Sequence, residues 1–335
     1  MARVEASLPI DMINLEAYYG QVLKATSTEI IISDGVNSSV YRGRGFTYSD
    51  DDLTGGTLTE YHQYYGSSPV ASVYGLSVPA TLAYVYIQSN NLAALLEIAL
   101  SQSDIIVGSP YADDLAGYAG DDIIFGGDGD DSIYGGAGND VLSGQAGNNY
   151  IHGGTGFDHA EYAGSAASYE YRVLGNGAVE VRDLFGQQYD YLVSIERLLF
   201  DDGVIAFDVS GNAGQAYRLY QAAFDRTPDP AGLGYWIKSL DAGIVDLKAA
   251  ANYFVLSEEF ASLYGHPDEV SNADFINLLY LNILDRPAEG EGFDFWLGEM
   301  NAGKVEKDDV LAYFSESDEN IAKVGEAIEG GIWFA

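Results

Sequence analysis

Cysteine is absent from the 335 residues, and histidine occurs only four times, at His62, His152, His159 and His266. A disulfide framework and a thiolate metal centre are therefore excluded. The histidines form no His-Glu-x-x-His pair, which removes zinc-protease chemistry of that ligand pattern, and no Gly-x-Ser-x-Gly is present to form the usual esterase elbow. Basic residues are scarce: 15 Lys and Arg face 51 Asp and Glu, and none lies between Arg44 and Arg172. Like charges repel, so nucleic acid and anionic membrane are poor partners. Long apolar runs are missing as well. The richest, LSVPATLAYVYI from Leu76 to Ile87, is short for a bilayer span and contains Pro79. The opening MARVEASLPIDMINLEAYYG is broken by Asp11 and Glu16 and does not have the form of a secretory signal peptide. The expectation is a soluble chain with no membrane span.

Glycine and aspartate are abundant, and they recur with a fixed period. From Gly108 the units GSPYADDLA, GYAGDDIIF, GGDGDDSIY, GGAGNDVLS, GQAGNNYIH and GGTGFDHAE run in nine-residue register to Glu161. Their first places are Gly108, Gly117, Gly126, Gly135, Gly144 and Gly153. The fourth places are Gly120, Gly129, Gly138, Gly147 and Gly156, with Tyr111 as the exception in the first unit. The sixth places are Asp113, Asp122, Asp131, Asp140, Asn149 and Asp158, and the eighth is aliphatic from Leu115 to Ile151, then Ala160. Glycine admits positive φ, so such a turn can direct backbone carbonyls toward one point and reverse the chain every nine residues. Two units then complete an eighteen-residue coil, with the eighth residue inside a parallel β-roll. Carboxylates and carbonyls without His or Cys select a hard cation, and many flexible oxygen ligands suit Ca²⁺ better than Mg²⁺. A bound cation also explains how so many aspartates lie together without a base.

These units resemble the RTX (repeats-in-toxin) nonapeptide GGxGxDxUx, a calcium-binding pattern. The resemblance implies that several Ca²⁺ ions sit between turns two units apart, pairing Asp113 with Asp131 and Asp131 with Asn149 on one edge. On the other edge it pairs Asp122 with Asp140 and Asp140 with Asp158. Asn149 and Tyr111 depart from the pattern. The resemblance further implies secretion by type I machinery as an unfolded chain that folds outside on meeting calcium. GEAIEGGIWFA at the C-terminus is similar to signals read by that machinery; alternatively Trp333 and Phe334 pack in a core.

Residues 1–107 read as a β-rich N-terminal domain ending in a helix, with Asn91 as the N-cap of NLAALLEIALS. His62 reads as a strand histidine, and the run Asp50-Asp51-Asp52 as a solvated turn. Residues 162–212 read as a β-strand cap of the repeats, with a hairpin turning at Asn176. From residue 213 to 335 the apolar period becomes helical. A shift of 60 residues there matches Asp225, Arg226, Gly232 and Trp236 with Asp285, Arg286, Gly292 and Trp296. This repeat resembles the DUF4214 helical modules. Its residues read as structural: an Asp-Arg ion pair fixing a loop, a glycine turn and a Trp core anchor.

The fold class expected is multi-domain α+β: β-rich N-terminal domain, parallel β-roll and helical C-terminal domain. No catalytic constellation emerges. The expected role is non-enzymatic, calcium-bound and extracellular or at the cell surface, as an adhesin, surface-layer component or glycan binder, with polysaccharide or surface-layer protein as partner. A secreted hydrolase with an N-terminal catalytic domain of unrecognised type is the alternative.

Overall fold

Residues 1–13, 20–50, 52–186, 188–288 and 290–335 are described in a computed structural model. They form two compact units, Met1–Asp201 and Asp202–Ala335. The fold is α+β, with strands throughout the first unit and helices dominating the second.

In the first unit β1 (Arg3–Ala6) is followed by β2 (Gln21–Ala25), β3 (Glu29–Ser33), β4 (Asn37–Ser49), β5 (Asp52–Tyr65) and β6 (Ser68–Pro79), which form an antiparallel sheet in the order β1-β6-β5-β4-β3-β2. Asp50 takes a left-handed φ of 50° between β4 and β5, as a turn requires, and Asp51 lies outside the described residues. The apolar run from Leu76 divides at Pro79, where β6 ends and α1 (Ala80–Gln88) starts. Proline tolerates that place because its missing N–H is not needed there. Helix α2 (Leu92–Ala99) begins as expected, with the Asn91 side chain accepting from the Ala94 N–H at 3.4 Å. His62 on β5 is buried, with Nδ1 3.0 Å from Ser72 Oγ and Nε2 3.2 Å from Glu60. It is a satisfied strand histidine.

The repeats form two parallel sheets. One contains β7 (Ile105–Val107), β9 (Ile123–Gly127), β11 (Val141–Gln145) and β13 (His159–Glu161); the other contains β8 (Asp114–Ala116), β10 (Ser132–Ala137) and β12 (Tyr150–Thr155). Each strand pairs with the strand 18 residues on, as Ile133 does with Ile151 and Ile124 with Leu142. Eighth-place residues therefore stack at one height inside the roll, and Leu115, Ile124, Ile133, Leu142, Ile151 and Ala160 have no exposed surface.

Residues far from the repeats in sequence complete the stack. Strand β1 lies parallel to β7 with Val4 opposite Ile106, and the backbones of Ile10 and Met12 pair with Asp114. Val4 and Met12 are buried, so residues 2–12 form an additional coil below the first repeat. After the last repeat come β14 (Tyr169–Val173), β15 (Val179–Asp183), β16 (Tyr189–Val193) and β17 (Arg197–Phe200). Strand β16 stacks on β12 with Leu192 opposite Ile151, and β17 stacks on β13 with Leu198 opposite Ala160. The β14–β15 hairpin turns through Gly177, whose φ is 84°.

The second unit begins with β18 (Gly203–Ala206) and continues with α3 (Asn212–Phe224), α4 (Pro230–Asp241), α5 (Leu247–Val255), α6 (Glu258–Tyr264), α7 (Asn272–Leu284), α8 (Gly290–Asn301), α9 (Lys307–Ser315) and α10 (Asp318–Ile328). The starts of α3 and α7, α4 and α8, α5 and α9, and α6 and α10 are each 60 residues apart, as the sequence shift implied. The last strand, β19 (Ile332–Phe334), pairs antiparallel with β18 and buries Ile332 and Phe334.

Two roles read for the helical repeat need correction. Gly232 and Gly292 lie within α4 and α8 and make no turn. Their missing Cβ makes room for a tyrosine hydroxyl: a Cβ there would stand 2.4 Å from Tyr220 Oη and 2.6 Å from Tyr280 Oη. Asp225 and Asp285 are left-handed C-caps, and their neighbouring arginines pair elsewhere, Arg226 with Glu259 at 2.6 Å and Arg286 with Glu319 at 3.0 Å. Trp236 and Trp296 pack partly buried against the common core.

Candidate metal centre

From Asp122 onward, each sixth-place side chain stands where a turn enters a strand, and its Oδ1 accepts the backbone N–H of the residue 18 places earlier. On the edge leading into β9, β11 and β13, Asp104 donates to Asp122 at 2.7 Å, Asp122 to Asp140 at 2.8 Å and Asp140 to Asp158 at 2.9 Å. On the opposite edge, Asp113 donates to Asp131 at 2.9 Å and Asp131 to Asn149 at 3.0 Å. The structure thus brings together the neighbours that the nine-residue register pairs.

The two kinds of glycine do different work. The fourth-place residues Gly120, Gly129, Gly138, Gly147 and Gly156 all have positive φ, from 106° to 136°. Second-place residues from Tyr118 to Gly154 are also left-handed, even where they are Tyr118 (φ 70°) and Gln145 (φ 65°). First-place glycines are instead required by closeness. A Cβ on Gly117, Gly126, Gly135 or Gly153 would fall 2.2 to 2.4 Å from the Oδ2 of the aspartate five residues on. At Gly108 the nearest atom would be the Gly126 carbonyl oxygen at 2.0 Å, and at Gly144 the Asn149 Nδ2 at 2.3 Å. Real Cβ atoms do not approach so closely, so an alanine would displace the carboxylate or the next turn.

The electrostatics of the ladder favour a cation. The Oδ2 atoms of Asp104, Asp122, Asp131, Asp140 and Asp158 are buried without a hydrogen-bond partner. Buried polar groups are ordinarily satisfied, and an unpaired buried carboxylate oxygen is costly. Burial, with the charges of Asp140, Asp104 and Asp121 added, pushes Asp122 up to about 7. Burial likewise pushes Asp131 and Asp158 up to about 6, and it raises Asp104 and Asp140. A divalent cation would satisfy these oxygens and reverse the shifts. Among the described residues no three His, Asp or Glu side chains form a group that could hold a metal ion, so the remaining ligands would be oxygens of another kind, such as turn carbonyls. An all-oxygen set of this composition fits calcium.

Several participants were missed in the nine-residue reading. Asp104 and Ile106 occupy the sixth and eighth places of a preceding unit, Ala99–Val107, whose glycines are lacking. Asp190 and Glu196 follow the repeats and continue the two edges, accepting from Asn149 N–H at 3.1 Å and Asp158 N–H at 2.7 Å. The fifth places form a second, outer ladder: Asn139 N–H donates to Asp121 and Asn148 N–H to Asp130, both at 2.8 Å. Register alone could have found Asp104 and the fifth-place Asp and Asn residues; Asp190 and Glu196 carry no periodic signal.

Comparison with known families agrees with this geometry. The RTX calcium-binding nonapeptide repeat (4 copies) matches residues 99–133 and 125–160, and the first match includes Asp104. The Domain of unknown function (DUF4214) matches residues 251–324, covering most of the second helical copy. No curated protein matches the chain. The chain therefore carries RTX calcium-binding nonapeptide repeats and, near its C-terminus, a DUF4214 domain.

Proposed function

We propose that this is a non-enzymatic, secreted protein that folds on binding calcium outside the cell and works at the cell surface or in the surrounding matrix. The observation carrying the reading is the line of buried carboxylate oxygens without partners in the repeat roll. In a calcium-poor cytoplasm they oppose folding, and in a calcium-rich exterior they favour it, so metal binding and folding become one event. Such a chain suits export in the unfolded state by type I machinery. Asp122, Asp131, Asp140 and Asp158, whose Oδ2 atoms are buried without a partner, are the proposed ligating positions, together with the turn backbones between them.

An adhesive or surface-layer role is supported by the outer face of the β8–β10–β12 sheet. Tyr134, Tyr150 and Tyr191 stand on neighbouring strands there, with ring centroids 5.8 and 6.1 Å apart, half-buried and able to contact a polysaccharide or protein surface. The test is limited proteolysis with EGTA or Ca²⁺, set beside sedimentation with isolated cell envelopes. Calcium at about 10⁻⁴ to 10⁻³ M, the range of extracellular modules, should protect residues 108–161 and allow envelope binding. Equal cleavage in both conditions would contradict calcium-driven folding. Turnover of a glycan or ester substrate would overturn the non-enzymatic reading.

A further inference from the structure

The two edges of the roll are unequal in a way that the repeat sequence conceals. On the edge leading into β9, β11 and β13, four consecutive aspartates, Asp104, Asp122, Asp140 and Asp158, each have one buried oxygen without a partner. Their other oxygens are occupied by the backbone ladder, which begins at the Ala2 N–H on Asp104 and ends with Glu196 accepting from Asp158. All four side chains belong to residues no more than 1% exposed.

The opposite edge is largely closed by the protein itself. Asp113 accepts the Ile10 N–H on Oδ1 at 2.6 Å and the Ser109 N–H on Oδ2 at 2.5 Å. Asn149 carries no charge and donates its Nδ2 to Asp190 Oδ1 at 2.9 Å. Asp190 in turn has its Oδ2 held by Tyr162 Oη at 3.0 Å and Gln188 Nε2 at 2.8 Å. Among the described residues of this edge, only Asp131 retains a buried oxygen without a partner.

We propose that calcium is bound chiefly along one edge of the roll, and that Asp104, outside the six regular units, is a calcium ligand while the regular Asp113 is not. This rests on the calcium reading above and assigns it to particular residues. An oxygen already satisfied by protein N–H groups gains less from a cation than one buried without any partner. The opposite edge is then a protein-satisfied wall, whose order depends on Tyr162, Gln188 and the coil of residues 2–12.

Asp104→Asn and Asp113→Asn in the full chain test this, since each keeps Oδ1 as an acceptor and removes one charged oxygen. Calcium stoichiometry is read by isothermal titration and folding by circular dichroism. Asp104→Asn should lose a bound ion, while Asp113→Asn should keep the wild-type stoichiometry, its midpoint moving only by the folding stability lost with the Ser109 N–H contact. Equal losses in the two variants, or a greater loss in Asp113→Asn, would overturn the inequality of the edges while leaving calcium-driven folding intact. No calcium uptake by the wild-type chain would remove the calcium reading and this assignment together. If Asp104→Asn fails to fold even in excess calcium, Asp122→Asn is measured against Asp113→Asn, and equal effects again overturn the proposal.

Discussion

If metal binding and folding of the roll are one event, a substitution that touches no ligand oxygen must still change the calcium requirement. Ile133 is the clearest place to look. It has no exposed surface, it lies between Leu115 and Ile151 in its sheet, and its side chain carries no ligand atom. Replacing it by alanine removes three carbons, about 2.4 kcal/mol at ~0.8 kcal/mol per methylene, and the residual cavity brings the loss to about 3 to 4 kcal/mol. Were about four ions to bind in one cooperative step, that loss would raise the calcium midpoint about fourfold, since ~1.4 kcal/mol is tenfold per ion. The assay is a calcium titration followed by far-ultraviolet circular dichroism, with urea unfolding of the calcium-loaded protein as a control. A lower urea midpoint with an unchanged calcium midpoint would refute the reasoning, because it would mean that the roll is folded before the metal arrives.

The remaining expectations concern pH and the helical unit. Burial holds Asp122, Asp131 and Asp158 above the usual carboxylate value of 3.8 unless a cation offsets it, so without calcium a folded roll binds more protons than the unfolded chain between about pH 4 and pH 7. Its stability without calcium should therefore fall as pH rises through that window, giving more protection from proteolysis in chelator at pH 5 than at pH 7.5. Protons and calcium compete for the same oxygens, so the calcium midpoint should be higher at pH 5; the opposite order would show that these carboxylates are not the ligands. In the second unit, Phe334 is 1% exposed and its truncation in Phe334→Ala should cost about 3 to 5 kcal/mol. Thermal unfolding followed at 222 nm should show that loss equally in calcium and in EGTA, whereas a calcium-dependent loss would mean that the helical unit is not built on apolar packing alone.

Local chemistry made much of this protein legible before any coordinate. A nine-residue alternation of glycine, aspartate and one aliphatic residue can be read by counting, because turn, ligand and core position all fall within one unit. The 60-residue helical repeat was legible for the same reason: Tyr220 and Tyr280, or Trp236 and Trp296, recur at equal intervals along the chain. The roles of particular residues were less so. Gly232 looks like a turn in sequence and is a clearance for Tyr220 within a helix; only the packing of α3 on α4 distinguishes the two. The last residues could be read as an export signal or as core, and they form a strand that buries Ile332 and Phe334. The ends of the roll were decided by tertiary structure alone. Ala2 meets Asp104 across 102 residues, Ile10 meets Asp113 across 103, and Asp190 and Glu196 take over the ladder from segments without the repeat. Contacts between such distant segments depend on which backbone N–H groups the folded coil leaves open, and those groups leave no mark in the sequence of either partner.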